Sequence, residues 1–330
     1  MAVNLSVPST RIKGLMNSFS DMFLNRLNQD PDRQRLQKVM DFIQSKNKAR
    51  DETFHFLTDP PPFTRWDEGE PRVYGTFGDI SWNVPVLKWQ SAIQWKRVDE
   101  EDDLTNGRLK KQARSIAGGA ALVDIEVFFQ ILTGSTDPDR LKNLPLGADG
   151  LALYSSSRTL YETNGNVVSG DGVQSVASIK ASFFEVAERI SGVRNTHNQL
   201  YHPESIWDSP VIVIFNDAHR ERFIEAFEAK IIRQGEAGVE NILSSSFANV
   251  ELWPTPRLSG DDWYVFALGM EEKPVFALER NDLGGMELIY ADERNSDYCR
   301  NYDVRQILCR MRKGYGISLP LGTVKVDNTN

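Results

Sequence analysis

Cysteine is nearly absent from this sequence. The 330 residues contain two, Cys299 and Cys309, and their spacing is typical of neither a metal site nor a redox pair, so we expect two free thiols in a reducing compartment. No apolar run reaches membrane-spanning length, and the N-terminus lacks the basic and apolar regions of a signal peptide. We therefore expect a protein that is made and used in a cytosol-like setting, with no membrane partner.

Positive charge is also scarce. Lys and Arg number 38 against 46 Asp and Glu, which gives a net charge of −8 and a pI near 5.2. This balance argues against nucleic-acid binding as the main function, because such surfaces are built from clustered Lys and Arg. The net negative charge is still compatible with an acidic shell that faces a polyanion. The hydrophobic fraction of 40% is typical of a folded soluble protein, and the length allows two domains or one domain with long extensions.

Catalytic motifs are missing as well. No serine lies in a Gly-x-Ser-x-Gly elbow, and no lysine lies in a phosphate-binding glycine-rich loop. His197 and His202 share a polar stretch that offers no third metal ligand, and His219 is expected to be exposed on a helix. We therefore predict no catalytic, cofactor-binding or metal-binding residues. A hydrolase that uses a serine or the loop of His197 and His202 is the alternative from another functional class.

A strand with one aromatic face is the strongest pattern in the sequence. Apolar and polar side chains alternate from residue 87 to residue 99, and one face carries Leu87, Trp89, Ile93 and Trp95. Residues 72–77 and 80–98 are expected to form a two-stranded ribbon with a turn at Gly78 and Asp79. An isolated hairpin cannot bury its own face, so this surface must contact the same chain or another one.

A long helix is predicted directly after the ribbon. An acidic run at residues 99–103 precedes a helical pattern that extends from about residue 104 to Thr133 and ends at Gly134; such a helix is about 45 Å long. We interpret the carboxylates as favourable to the positive N-terminus of this helix, in preference to a cation site. Gly118 and Gly119 in its middle predict close backbone packing or a bend.

The N-terminal segment predicts two helices that form an arm. The first covers residues 12–27, and the second carries an apolar stripe made of Leu36, Val39, Met40 and Ile43. The arm has no core of its own. Beyond the long helix, residues 136–172 are rich in Gly, Ser, Asp and Asn, and we expect this long excursion to contact something.

The remainder of the chain alternates helices with short strands. One helix is predicted at residues 176–190, and another begins after Asn216 or Asp217 with an apolar face made of Phe223, Ile224, Phe227 and Ile231. Strands are predicted at residues 211–215, 250–253, 263–268, 275–278, 287–290, 304–311 and 317–319, with a bend or bulge at Gly314-Tyr315-Gly316. Helices among mostly antiparallel strands indicate an α+β fold.

Several short motifs occur in the order and approximate spacing of one known family. They are Ile12-Lys13-Gly14-Leu15-Met16-Asn17-Ser18-Phe19, Trp66, the ribbon, Arg97 through Asp102-Asp103, Asp149-Gly150 with Leu153-Tyr154, Lys273-Pro274-Val275-Phe276 with Glu279-Arg280, and Gly314-Tyr315-Gly316. With these motifs the sequence resembles the Mu-like major head subunits, the major capsid proteins of Mu-like tailed phages. The similarity is spread over most of the chain, although residues 192–260 match only in layout.

The resemblance implies the Hong Kong 97-type (HK97-like) major capsid protein fold. Its parts are an N-terminal helical arm at 1–65, an E-loop hairpin with flanking strands at 66–103, a spine helix and peripheral-domain loop at 104–174, an axial domain at 175–270, and return strands of the peripheral domain at 271–330. It also implies a non-enzymatic protein without a cofactor, which self-assembles into hexamers and pentamers of an icosahedral shell that encloses phage genomic DNA. An encapsulin-like or gene-transfer-particle shell with other cargo is the alternative.

In shells of this kind the E-loop lies over a neighbouring subunit, and the arm reaches across to neighbours. The resemblance therefore implies an intersubunit interface made of Leu87, Trp89, Ile93, Trp95, Tyr74 and Trp82 on the E-loop and of Ile12 and Phe19 on the arm. Its implied partners are the chain itself, a scaffold or maturation protease, a portal protein, a decoration protein and packaged DNA that is contacted non-specifically. The implied location is the virion capsid, after assembly in the bacterial host cytoplasm. No motif for a lysine-to-asparagine cross-link is matched.

Overall fold

Two β-sheets and a long helix share one hydrophobic core in this chain. The computed structural model describes residues 30–45, 51–57, 65, 79–102, 107–158, 165–194, 200, 206, 209–229, 231–234, 237–240, 243, 249–268, 270, 272–280 and 286–328. The predicted helix at 12–27, the strand at 72–77 and the loop of His197 and His202 lie outside these residues. Within them, no helix is long and apolar enough to cross a membrane.

The first described helix, α1 (Pro31–Val39), is shorter than predicted. Asp30 caps it by accepting a hydrogen bond from the backbone N–H of Asp32, and Pro31 occupies its first position. The helix ends before Met40 because strand β1 (Met40–Ser45) begins there and pairs in parallel with residues 275–280. The prediction that the helical stripe continues through Met40 and Ile43 is therefore wrong. A second strand, β2 (Asp51–Leu57), follows where the arm was predicted to be helical.

Strand β3 (Asp79–Lys96) is the predicted aromatic strand, and it is 18 residues long. Its first part pairs antiparallel with β2, from Asp51 opposite Pro85 to Leu57 opposite Asp79. Its second part, from Val86 onward, pairs antiparallel with residues 304–314. Among the described residues the hairpin partner is thus β2, which precedes the predicted partner in the sequence, and a distant C-terminal strand covers the rest.

The acidic run forms part of a short helix, α2 (Arg97–Asp102), which leads to the long helix α3 (Gly107–Thr133). Helix α3 has 27 residues and is about 40 Å long. It ends as predicted at Gly134, whose φ of +69° is the left-handed conformation that glycine adopts readily. A Cβ at Gly118 or Gly119 would meet no heavy atom within 4 Å, so the predicted close packing at these glycines is wrong.

The remaining elements include the predicted helix at 176–190 and the predicted strands between residues 211 and 311, together with a helix at 297–302 and strands at 167–169, 231–234, 237–240 and 323–327 that were not predicted. They are β4 (Val167–Ser169), α4 (Val176–Ser191), β5 (Val211–Asn216), α5 (Arg220–Phe227), β6 (Ile231–Gln234), β7 (Ala237–Glu240), β8 (Val250–Thr255), β9 (Trp263–Ala267), β10 (Val275–Arg280), β11 (Met286–Ala291), α6 (Asp297–Tyr302), β12 (Val304–Ile317) and β13 (Thr323–Asp327). The predicted apolar face of α5 is only partly correct: Phe223 and Phe227 are buried, Ile224 is exposed, and Ile231 already belongs to β6.

The first sheet has the order β1-β10-β12-β3-β2, and β11 also pairs with β12. Strand β12 is one continuous strand of 14 residues where two strands with a bend or bulge between them were predicted. Gly314 and Gly316 both lie within this strand. At each position a neighbouring residue leaves no room for a side chain. A Cβ on Gly316 would lie 2.3 Å from the ring of Phe276, and one on Gly314 would lie 2.7 Å from the carbonyl oxygen of Pro85.

The second sheet has the order β4-β13-β9-β5-β8. The C-terminal strand β13 joins this sheet. The predicted domain boundaries stay predictions. Both faces of the sheet are buried. Val211, Val213 and Phe215 pack with α4 and α5, whereas Ile212 and Ile214 pack with α3 and the first sheet. This explains why β5 is a continuous apolar run without alternation.

Candidate assembly surface and the buried charge cluster beneath it

The aromatic face of β3 is covered by its own chain. Trp89 is 8% exposed and Trp95 is 7% exposed. Trp89 packs edge-on against Tyr315, with ring centroids 5.9 Å apart, and donates its indole N–H to the carbonyl oxygen of Lys313 over 3.2 Å. Trp95 packs with Ile307 of β12. The predicted intersubunit role is therefore corrected for both tryptophans, because β12 and α3 supply the cover that the prediction sought in a neighbouring subunit.

The other predicted interface residues have different surroundings. Leu87 is 36% exposed, Ile93 is half-buried, and Trp82 is half-buried beside Phe54, with ring centroids 5.9 Å apart. Tyr74, Ile12 and Phe19 lie outside the described residues. The intersubunit role of all six of these residues stays a prediction.

Leu87 and Trp82 line a groove of about 810 Å³ between β3 and the loop at 138–150. Leu146, at the rim of the groove, is 54% exposed. The buried side chain of Arg158 fixes the conformation of this loop. It forms an ion pair with Asp149 and donates a hydrogen bond to the carbonyl oxygen of Ala152. The predicted excursion at 136–172 thus contacts its own sheet and forms one wall of an open groove.

Beneath β3, five charged or polar side chains from four elements meet inside the protein. Asp124 of α3 is 1% exposed and pairs with Arg33 of α1. The Lys313 ammonium of β12 lies 2.9 Å from Asp124 Oδ2, and the Tyr315 hydroxyl donates to Asp124 Oδ1 over 2.6 Å. Lys313 also lies 2.8 Å from Glu279 Oε1 on β10. We call Arg33, Asp124, Glu279, Lys313 and Tyr315 the charge cluster.

The charge cluster holds Asp124 and Lys313 in their charged forms. Burial alone would raise the pKa of Asp124, but Lys313, Arg33 and the hydrogen bond from Tyr315 outweigh it and lower that pKa to about 2. Burial likewise would lower the pKa of Lys313, yet the two carboxylates of Asp124 and Glu279 raise it above its ordinary value. Burial, followed by the charge of Asp124, raises the pKa of Tyr315 well above its usual range. The cluster therefore contains an ion pair that is stable at neutral pH.

The chemistry available to the charge cluster is structural. Asp124 is sealed from solvent, and both carboxylates of the cluster are paired with cations, so the cluster fastens α1 and α3 to the first sheet. Sequence reasoning missed it, although Asp124 lies within an apolar run, between Val123 and Ile125. That placement is the signal that could have revealed it.

The described residues contain no group of three His, Cys, Asp or Glu side chains that could hold a metal ion. His219 contacts Asp261, with Nε2 2.9 Å from Oδ1, and its side chain is only 13% exposed, so the prediction of an exposed histidine is wrong. Both cysteines are free, as predicted, and both are buried. Burial raises the pKa of Cys309 to about 11, which keeps this thiol protonated and unreactive at neutral pH.

A second exposed apolar surface, which sequence reasoning did not identify, lies at the end of the β3–β12 ladder. Tyr298 and Tyr302 of α6 are 49% and 65% exposed, and Val98 of α2 is 53% exposed. The tyrosine rings are 4.6 Å apart. The backbone N–H of Arg97 donates to the carbonyl oxygen of Asp303 over 3.0 Å, which brings the start of α2 and the end of α6 together.

Comparison with known proteins identifies the class of fold. No family model and no curated protein sequence matches the chain. Among solved structures, the capsid of a native GTA particle matches with a TM-score of 0.58 and 8% identity, covering 89% of this chain and 90% of that one. The capsid of Myoviridae phage XM1 matches with a TM-score of 0.55 and 12% identity over 89% and 90% of the two chains. The capsid of cyanophage P-SCSP1u matches with a TM-score of 0.51 and 12% identity over 89% and 88%.

These matches confirm the predicted fold. The chain adopts the α+β, Hong Kong 97-type fold of tailed-phage capsid proteins. At identities of 8% to 12% the likeness concerns the path of the backbone, so the particular role of this chain is argued from its own surfaces.

Proposed function

We propose that this chain is a major capsid protein whose copies self-assemble into the hexamers and pentamers of an icosahedral shell around phage genomic DNA. The extent of the structural match carries this proposal. The alignments with the XM1 and native GTA capsids each cover 89% of this chain and 90% of the other. A match of this extent is more than one shared motif would give. The proposed role is structural, with no enzymatic activity and no cofactor.

The exposed apolar residues of the chain support self-association. Leu87, Leu146 and Tyr302 remain at the surface although the chain buries its large aromatic residues efficiently. We propose that Leu87, Trp82 and the half-buried Ile93 contribute to contacts between subunits, together with Tyr74 of the E-loop and Ile12 and Phe19 of the arm. The expected consequence is that Leu87→Ser lowers the yield of assembled particles and leaves the melting temperature of the unassembled chain unchanged.

Finer features of the proposal rest on the sequence motifs alone. We infer that the chain belongs to the Mu-like branch of these proteins and that its shells form in the bacterial host cytoplasm before they become part of the virion. A scaffold or maturation protease, a portal protein and a decoration protein are the proposed partners. Packaged DNA is proposed to be contacted non-specifically, in agreement with the net charge of −8.

A shell that encloses other cargo is the second candidate. It is supported by the similarity to the native GTA capsid and to a virus-like particle from Pyrococcus furiosus, which matches with a TM-score of 0.50 and 10% identity over 96% of this chain and 98% of that one. The two candidates differ in content. Particles isolated from producing cells should hold phage genomic DNA under the first proposal, and protein or unrelated DNA under the second.

Electron microscopy of the expressed chain tests the shell proposal directly. We expect capsomers, closed shells or tubes in negative stain, for the chain alone or together with its scaffold. The mass measured by light scattering should correspond to many copies of the 37.4 kDa chain. A species that stays monomeric under both conditions and across protein concentrations would contradict the proposal.

A further inference from the structure

We draw no further inference here: the strongest candidate, the open groove between β3 and the loop at 138–150 with the exposed Leu87 and Leu146 beside it, carries none because nothing within the described residues shows what covers it.

Discussion

Replacing Asp124 by Asn should destabilise the unassembled chain far more than the same replacement at the exposed Asp41. The side chain keeps its size but loses the negative charge that Arg33, Lys313 and Tyr315 share. Two cations then remain buried in the charge cluster, and only Lys313 keeps a carboxylate partner, Glu279, at 2.8 Å. A buried charge without its partner costs far more than the pair contributes when intact.

The expected loss is about 3 kcal/mol in the free energy of unfolding. Removing one member of a buried ion pair costs about 3 to 5 kcal/mol, and the lower end applies because Glu279 still neutralises Lys313. Tyr315→Phe removes one hydrogen bond to a charged acceptor and should cost about 1.5 to 3 kcal/mol. Asp41→Asn is the matched control. Its partner Lys273 lies 2.7 Å away, but the two side chains are 41% and 32% exposed, so the cost should be below about 1 kcal/mol.

Equilibrium unfolding in urea measures all three variants. The protein concentration must be low enough to keep the chain unassembled, because association stabilises the folded state by mass action. Tryptophan fluorescence is a suitable signal, since Trp89 donates a hydrogen bond to the backbone of Lys313 and packs on Tyr315. If Asp124→Asn costs no more than Asp41→Asn, the charge cluster does not fasten the core and the reasoning is refuted.

Three further outcomes follow from the same structure. The pKa of Asp124 is lowered to about 2, so the ionised carboxylate contributes its full stabilisation above about pH 4. This contribution to the free energy of unfolding, about 2 to 3 kcal/mol, is lost as the pH falls toward about 2. Urea unfolding at a series of acidic pH values should show the loss in the wild type and not in Asp124→Asn. Gly316→Ala should cost about 1 to 3 kcal/mol through overpacking, whereas Gly119→Ala, where a Cβ meets nothing within 4 Å, should gain up to about 1 kcal/mol; melting curves of the two variants compare them. Trp89→Ala should destabilise the unassembled chain by about 3 to 5 kcal/mol, whereas Leu87→Ala should cost less than about 1 kcal/mol; urea unfolding separates them.

Local sequence patterns predicted many of the helices and strands, because side-chain periodicity and helix-ending residues act over a few neighbouring positions. The period of two placed β3, and helical spacing with a glycine stop placed the end of α3. Where the structure differs, a distant segment decides. The stripe of α1 has helical spacing through Ile43, yet Met40 pairs with Val275, and sheet formation ends the helix. A single sequence contains no sign of a partner that lies more than 200 residues away.

The candidate site was predictable only in part, for a related reason. The alternation around Trp89 correctly indicated a buried face, but it could not say which surface covers that face. The charge cluster joins Arg33 to Lys313 through Asp124, so no local window contains two of its members from different elements. The exposed tyrosines of α6 have no periodic signature at all, since a helix of six residues is too short to show one.

The cover over β3 changes where the energy of assembly must come from. Trp89 and Trp95 stabilise the subunit before it meets another copy, so they are not available as adhesive surfaces between subunits. Among the residues that the structure describes, the exposed apolar side chains include two separate small patches, one at Leu87 and Leu146 beside the groove and one at Tyr298 and Tyr302 on α6. Each patch alone is too small for a stable dimer, because specific interfaces usually bury about 1,200 to 2,000 Å² in total. Several such contacts engaged together hold a closed shell far more strongly than any one of them holds a pair, and each single contact can still dissociate when it forms in the wrong place.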